Sequence, residues 1–391
     1  MNLLFISYWS LNDGLTQATV IPHLEILSKF KQVGTVHFIT VEREAQPNLV
    51  FNLNKVKHHP IFSKNLKFNL LNKVNDLFII SSSLSRIANN YDIDLIICRS
   101  AMAGMFGEKL HSKYGMPYVV ESFEPHADYM IDTGTWAKYD PRYISQIRSE
   151  NKQKKNALFL IPVSNAYKEV LINEGISKKR LEVIPCCVNS SHFSFSKIKR
   201  KELREQLNIN GVTGIYVGKF GDLYYDSSAY RAIRQAFEYW PNFELIILSP
   251  QSKELILEGL TDIDPKRLHI KTVAHKEVSG YLSASDFAFS FHRKTSHSYA
   301  FSPIKNGEYM ANGLPIITSI GIGDDSDIIE QESIGVSLNL ENDKIDFNKI
   351  DLLINQASER QRIAEVAKKN RSFLITEEVY SKVLNSLTKT D

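Results

Sequence analysis

The run Phe301-Ser302-Pro303-Ile304-Lys305-Asn306-Gly307-Glu308-Tyr309-Met310-Ala311-Asn312-Gly313-Leu314-Pro315 holds the residues best suited to chemistry. Ser302 can cap a helix, Pro303 suits its first turn, and Gly313 with Pro315 ends it, so a short helix is predicted here. The amides of Ile304 and Lys305 would have no partner inside that helix, and the dipole makes its amino end a seat for a phosphate. Lys305 adds a full positive charge. Glu308 stands one turn further, roughly 6 Å along the axis, and leans back toward the same end. A carboxylate so placed can accept hydrogen bonds from ribose hydroxyls while a diphosphate rests on the amides. The plainer alternative is that Ser-Pro and Gly-x-Pro only punctuate a helix and Glu308 is a surface residue.

A second group, Glu121-Ser122-Phe123-Glu124-Pro125-His126-Ala127-Asp128, follows the strand-like run from Tyr118 to Glu121. Glu121, Glu124 and His126 would then lie at a strand's carboxyl end, where they can orient an acceptor hydroxyl or hold a sugar. His126 can equally serve to cap the next helix.

Two series of strands must position these residues. Leu3 to Ser7, Val36 to Val41, Leu95 to Cys98, Tyr118 to Glu121 and Leu158 to Val163 alternate with helical patterns. Gly214 to Val217, Leu245 to Ser249, His269 to Val273, Phe287 to Phe291 and Ile316 to Ser319 repeat the arrangement. Such alternation predicts parallel sheets with helical crossovers, an α/β class, and ligands at the carboxyl ends of the strands. The expected domains are 1–192 and 193–370, with 371–391 a helix packing back on the first. The linker is expected near Ser190 to Ser196, and facing domains would leave a cleft between them.

With 391 residues and 43% hydrophobic content the chain has material for two cores. Its net charge of +3 argues against a dedicated nucleic-acid binder, so any phosphate site must be local. Cys98, Cys186 and Cys187 are an odd set without metal-ligand spacing, as in a reducing compartment. No apolar run approaches the ~20 residues of a membrane span, and no signal peptide is read at Met1, so the expectation is cytoplasmic. Peripheral contact with the inner face of a membrane is an open alternative through residues 45–75. That stretch has no acidic residue and carries Lys55, Lys57, Lys64, Lys67 and Lys73 with Phe51, Phe62 and Phe68 interleaved. The competing reading is the solvated face of an ordinary helix and loop.

The second half resembles the nucleotide-binding domain of glycosyltransferase family 4, whose members have the two-domain GT-B fold. Ser302 to Pro315 is close to the family's Ser-Pro-x-Lys-x-x-Glu-Tyr-Met-Ala-x-Gly-x-Pro. Tyr216-Val217-Gly218-Lys219 is similar to its strand ending in Val-Gly-Arg, and Val278 to Phe289 to its helix ending in Ala-Asp before a strand. Upstream, Val163-Ser164 and Val183-Ile184-Pro185 look like the segments that close the first domain. The resemblance implies two Rossmann-like domains across a cleft and a retaining transfer of sugar from a nucleotide sugar to a hydroxyl. The acceptor would be a glycan or a lipid-linked molecule, in surface polysaccharide or glycoconjugate synthesis. It assigns catalysis to His126, Lys219 and Glu308, and donor binding to Gly14, Gly218, Lys219, Ser302, Pro303, Ile304, Lys305 and Glu308. Gly14, after the first strand, would let backbone amides approach the phosphate, although simple turn geometry also accounts for a loop glycine. The nucleotide sugar is a substrate; no cofactor and no metal is expected.

The departures from that pattern matter too. The first of the family's paired glutamates falls on Ala300, and Phe220 to Asp226 lacks the second basic residue, with Tyr225 near its place. Arg293 or Lys294, just after the Phe287 to Phe291 strand, is expected to supply the missing charge, unless that loop is merely solvated. The missing carboxylate keeps a rival open: a catalytically weak, nucleotide-sugar-binding partner subunit. A nicotinamide dehydrogenase is disfavoured, because no Gly-x-Gly-x-x-Gly follows a strand.

Overall fold

The computed structural model describes residues 1–43, 51–63 and 69–388, with the backbone alone over 69–76. Two compact units emerge, Met1–Pro185 with Leu374–Asp391, and Cys186–Phe373. The first holds β1 (Asn2–Ile6), β2 (Thr35–Glu42), β3 (Val56–Phe62), β4 (Leu95–Arg99), β5 (Tyr118–Phe123) and β6 (Phe159–Pro162) in the parallel order β3-β2-β1-β4-β5-β6. The second holds β7 (Thr213–Val217), β8 (Glu244–Leu248), β9 (Leu268–Lys271), β10 (Phe287–Ser290), β11 (Ile316–Ser319) and β12 (Gly335–Leu338) in the order β12-β11-β10-β7-β8-β9. Counted from the first strand of each unit, the two orders are the same. In each, the order reverses beside the first strand, between β1 and β4 and between β7 and β10, and there the crevice for a ligand opens.

The central strands form because their apolar runs are covered on both faces, as parallel sheets require. In the second unit successive residues serve opposite sides. Tyr216, Leu245, Ile247, Phe287 and Phe289 enter one core, while Ile215, Ile246, Leu248 and Ala288 enter the other with Tyr309 and Met310. Two edge strands escape the sequence reading. β3 (VKHHPIF) carries Pro60, which lacks the N–H an inner strand needs, and β12 (GVSL) has only two apolar residues, set apart by Ser337.

The crossings between units fall at Pro185/Cys186 and Phe373/Leu374, not at Ser190 to Ser196 or at 370/371. Val188 and Phe193 are core residues of the second unit, and the Val188 N–H donates to the Arg371 carbonyl at 2.8 Å, which ties the supposed linker down. In the helix Phe373–Thr388, Tyr380, Val383 and Leu384 are buried, and the Tyr380 hydroxyl donates to Glu121 of the first unit.

Of the stretch 45–75, Lys64, Lys67 and Phe68 lie outside the described residues, as does the side chain of Lys73. Residues 56–62 are edge strand rather than helix or loop. Lys55 Nζ donates to the Phe30 carbonyl at 2.9 Å, the Phe51 ring stands 5.6 Å from that of Phe38, and Lys57 lies over Tyr91. Phe62 is half exposed. Among the described residues no helix is long and apolar enough to cross a membrane.

Candidate functional site

The helix Ile304–Ala311 starts at Pro303, which occupies the capping position without a side-chain bond. Ser302 therefore does not cap it: its hydroxyl accepts from the Cys186 N–H at 3.0 Å and from Arg371. Behind it, buried Arg371 pairs with buried Asp325, whose other oxygen accepts from Asn306 Nδ2 at 2.7 Å. The first turn is thus fixed from behind, with the amides of Ile304 and Lys305 at its open end. Gly313, with φ of +71°, ends the helix, and a Cβ there would collide with the Arg360 carbonyl. The Tyr309 hydroxyl accepts from the Val217 N–H at 3.0 Å and donates to the Phe289 carbonyl at 3.3 Å. One side chain so registers the helix against the ends of β7 and β10, where the strand order reverses.

Lys305 reaches that point. Its Nζ lies 3.4 Å from the Val217 carbonyl, 5.2 Å from the centre of the Tyr216 ring and 4.3 Å from that of Tyr224. Burial, only partly offset by the charge of Glu308, pushes its pKa down to about 7. Gly218, with φ of +132°, passes beneath: a Cβ there would sit 3.5 Å from Nζ. Glu308 is buried, and its Oε1 lies 2.6 Å from Nε2 of His275, an exposed residue that opens the helix His275–Ala284. That bond lifts the His275 pKa above its ordinary value despite partial burial. Lys305, Glu308, Gly218 and the helix amides are thereby brought together.

Other expected residues take other partners. Lys219 is 45% exposed and bonds Asp222 Oδ2 at 2.6 Å, which raises its pKa. Arg293 stands 3.6 Å from Asp226, both half exposed, and the stem of Lys294 lies against Gly321. Tyr225 is buried in the core; its neighbour Tyr224 is the residue over Lys305. The loop carrying Tyr224 is rooted by Gln251, which accepts from the Phe220 N–H at 2.6 Å and donates to its carbonyl at 3.1 Å. His275, Tyr224, Gln251 and buried His292 escape the sequence reading, since each becomes notable only through contacts distant in the chain.

In the first unit, Glu121 cannot meet an acceptor as expected, because it is fully buried with both oxygens engaged. Arg99 Nη1 lies 3.2 Å from Oε1; His23 Nδ1 lies 3.2 Å from Oε2, which also accepts from Tyr380. Burial alone would raise its pKa, but His23 and Arg99 hold it down at about 2. The register shift between Glu121 and Phe123, with Ser122 at φ of +50°, turns the chain outward at the end of β5. Glu124 and His126 follow, partly exposed, with His126 Nδ1 and Glu124 Oε1 3.0 Å apart. Burial works against a proton on His126, yet the Glu124 bond raises its pKa. The Trp136 ring stands edge-on to His126 at 5.8 Å. Gly14 is exposed at the start of a helical segment, with open space for a Cβ and without a positive φ, so neither backbone strain nor a close approach within this unit requires a glycine there. Among the described residues no group of three or more His, Cys, Asp or Glu side chains could hold a metal ion.

Two Rossmann-like units, each a six-stranded parallel sheet of the same strand order, are the GT-B architecture, and the chain has the fold of GT-B glycosyltransferases. Sucrose-phosphate synthase (tll1590) from Thermosynechococcus elongatus matches it with a TM-score of 0.76 and 16% identity over 100% of both chains. Anabaena Alr3699/HepE, solved in complex with UDP-glucose, matches with a TM-score of 0.68 and 14% identity over 99% of this chain and 100% of that one. WaaG, a glycosyltransferase involved in lipopolysaccharide biosynthesis, gives 0.61 and 12% over 99% and 98%. Compared by sequence, the chain matches no family model and no curated protein. At these identities the likeness carries the fold alone.

Proposed function

We propose that this protein is a glycosyltransferase that takes a sugar from a nucleotide sugar, with retention of configuration, and passes it to a hydroxyl of a glycan or lipid-linked acceptor. The observation that carries the reading is the convergence of Lys305, the free amides of the Ile304–Ala311 helix and Glu308 where the strand order reverses. A diphosphate on the amides would restore the proton of Lys305, and the paired charges would stabilise the leaving group as the glycosidic bond breaks, an effect of several kcal/mol in a dry site. Glu308 would hold the ribose, with one oxygen already shared with His275. Lys219 would join by exchanging Asp222 for phosphate. His126 and Glu124 are assigned to the acceptor or the transferred sugar.

UDP and UDP-glucose are the first ligands to try, since the matched HepE was solved with UDP and with UDP-glucose. The test is a thermal-shift series with UDP, GDP, ADP and their glucose or mannose forms. A ligand at 100 times its Kd adds about 2.7 kcal/mol of stability. At least one should raise the Tm of the parent and fail to do so for Glu308→Ala. If none binds, or if Glu308→Ala binds as the parent does, the reading fails. Ala300, buried where a second carboxylate is expected, favours one rival, a nucleotide-sugar-binding subunit with little activity of its own. Release of UDP from a bound donor by the purified chain alone rules that rival out.

A further inference from the structure

His292, just past the carboxyl end of β10, is not used by the chemistry proposed above. It is 6% exposed, and its backbone N–H donates to Ser319 Oγ at 3.0 Å. Its ring Nδ1 is buried with no hydrogen-bond partner. Ser290 Oγ, two residues back, is buried and unpartnered as well. Folded proteins keep few such atoms, because each gives up its water without recovering a bond. Here both stand at the end of the strand that flanks β7 where the order reverses, the place where open α/β sheets take ligands.

The state of the ring narrows what can bind it. Burial first, and the charge of Lys305 second, hold the imidazole neutral. A neutral imidazole carries one N–H and one lone pair, and whichever of the two Nδ1 presents, a hydroxyl can answer it as donor or as acceptor. A phosphate oxygen at neutral pH has no proton to give, whereas a sugar hydroxyl has one. The Tyr224 ring stands 5.0 Å from His292 and covers Lys305 as well. Tyr224 rides on a loop in which Gly218, Gly221 and Asp222 have φ of +132°, +88° and +55°, and whose root at Phe220 is held by Gln251. The backbone beside Tyr224 is held too, by the Arg293 N–H donating to the Leu223 carbonyl at 2.8 Å, which leaves the Tyr224 side chain as the part that can turn.

We propose that His292 is a sugar-reading residue of the donor site: with the Tyr224 ring turned aside, its Nδ1 shares a hydrogen bond with a hydroxyl of the transferred sugar. The inference rests on the glycosyltransferase reading and deepens it. The test compares the parent, His292→Phe and His292→Asn in binding UDP, UDP-glucose, GDP and GDP-mannose by calorimetry. For the nucleotide the parent binds, His292→Phe should keep the affinity for the free diphosphate within about twofold and weaken the sugar form about tenfold. His292→Asn, whose amide can again donate or accept, should recover most of that loss. Equal weakening of both forms, or of neither, overturns the role of His292 and leaves the glycosyltransferase reading standing. A parent that binds none of these and none of the ADP, glucose or mannose forms of the thermal-shift series removes both. Should His292→Phe not fold, His292→Ser decides the question in its place: loss of the sugar form's advantage supports the role, and its retention overturns it.

Discussion

At the carboxyl end of β5, Glu121 is enclosed by Arg99, His23 and Tyr380, and every charge there has a neighbour of opposite sign or a hydroxyl. At the carboxyl ends of β7 and β10, Lys305 has two aromatic rings and a carbonyl, while His292 and Ser290 have polar atoms with no partner. β7 and β10 flank the reversal of strand order, where an open sheet takes a ligand, whereas β5 lies one strand beyond it in the first unit. The first arrangement is complete without a ligand and strengthens the fold. The second is left incomplete at some cost to the fold, the usual mark of a place kept for something else to bind.

The sharpest way to break this contrast is to open the closed network. Glu121→Ala would leave Arg99 buried without its counter-charge and take a hydrogen-bond partner from His23, and removing one partner of such a buried pair typically costs about 3–5 kcal/mol. Urea denaturation should show that loss, while the fraction still folded should bind nucleotide with the parent's affinity. A loss below about 1 kcal/mol would mean that the Glu121 cluster is not what holds the end of β5.

Lys305→Met is the mirror experiment. Removing a charged contact to a bound anion costs about 2–5 kcal/mol, so nucleotide affinity should fall by roughly 30-fold or more. Stability without ligand should stay level or rise, because burial disfavours the ammonium. A variant that is both destabilised and still able to bind would place Lys305 with the structural residues.

Between these lies a pH effect whose sign is fixed by the depressed pKa. Lys305 titrates at about 7 in the empty protein, against 10.5 in the unfolded chain. Between those values the unfolded chain holds more protons, so the contribution of this group to ligand-free stability grows as pH rises from 7. Anion binding calls the proton back, so nucleotide affinity should fall as pH rises above 7, by at most about tenfold per pH unit. Calorimetry in buffers of different ionisation heat should detect the proton taken up, and Lys305→Arg should abolish both signals.

The helix at Ile304 was legible in the sequence because its signals are local: a proline at the start, a glycine where the backbone needs a positive φ, and an apolar face. The central strands were legible for a similar reason, being buried on both sides and so nearly continuous in apolar residues. β3 and β12 were not, because Lys57 to Pro60 interrupts the apolar run of the first and the second has only Val336 and Leu338 as apolar residues. Ser302 shows capping chemistry in the sequence, but Arg371, distant in the chain, decides its use. His275 and Tyr224 have no local signature at all. Glu121 reads as a ligand-facing group because a carboxylate at a strand end looks the same in sequence whether solvent or Tyr380 stands before it.

The smallest expected effect concerns Lys219, placed beside Lys305 by its neighbours in sequence yet held outward by Asp222. An exposed pair of this kind is worth about 0–1 kcal/mol, so Lys219→Ala should barely move the Tm. Its share in nucleotide binding should also be the lesser one, because an exposed ammonium is screened by water and must first give up Asp222. Asp222→Asn removes that competition and should tighten nucleotide binding by a few fold, while Lys219→Ala should weaken it by less than Lys305→Met. If Lys219→Ala proves the more damaging of the two, the phosphate lies over the Gly218 loop rather than on the Ile304 helix. The contrast between the two units would then have to be redrawn around β7 alone.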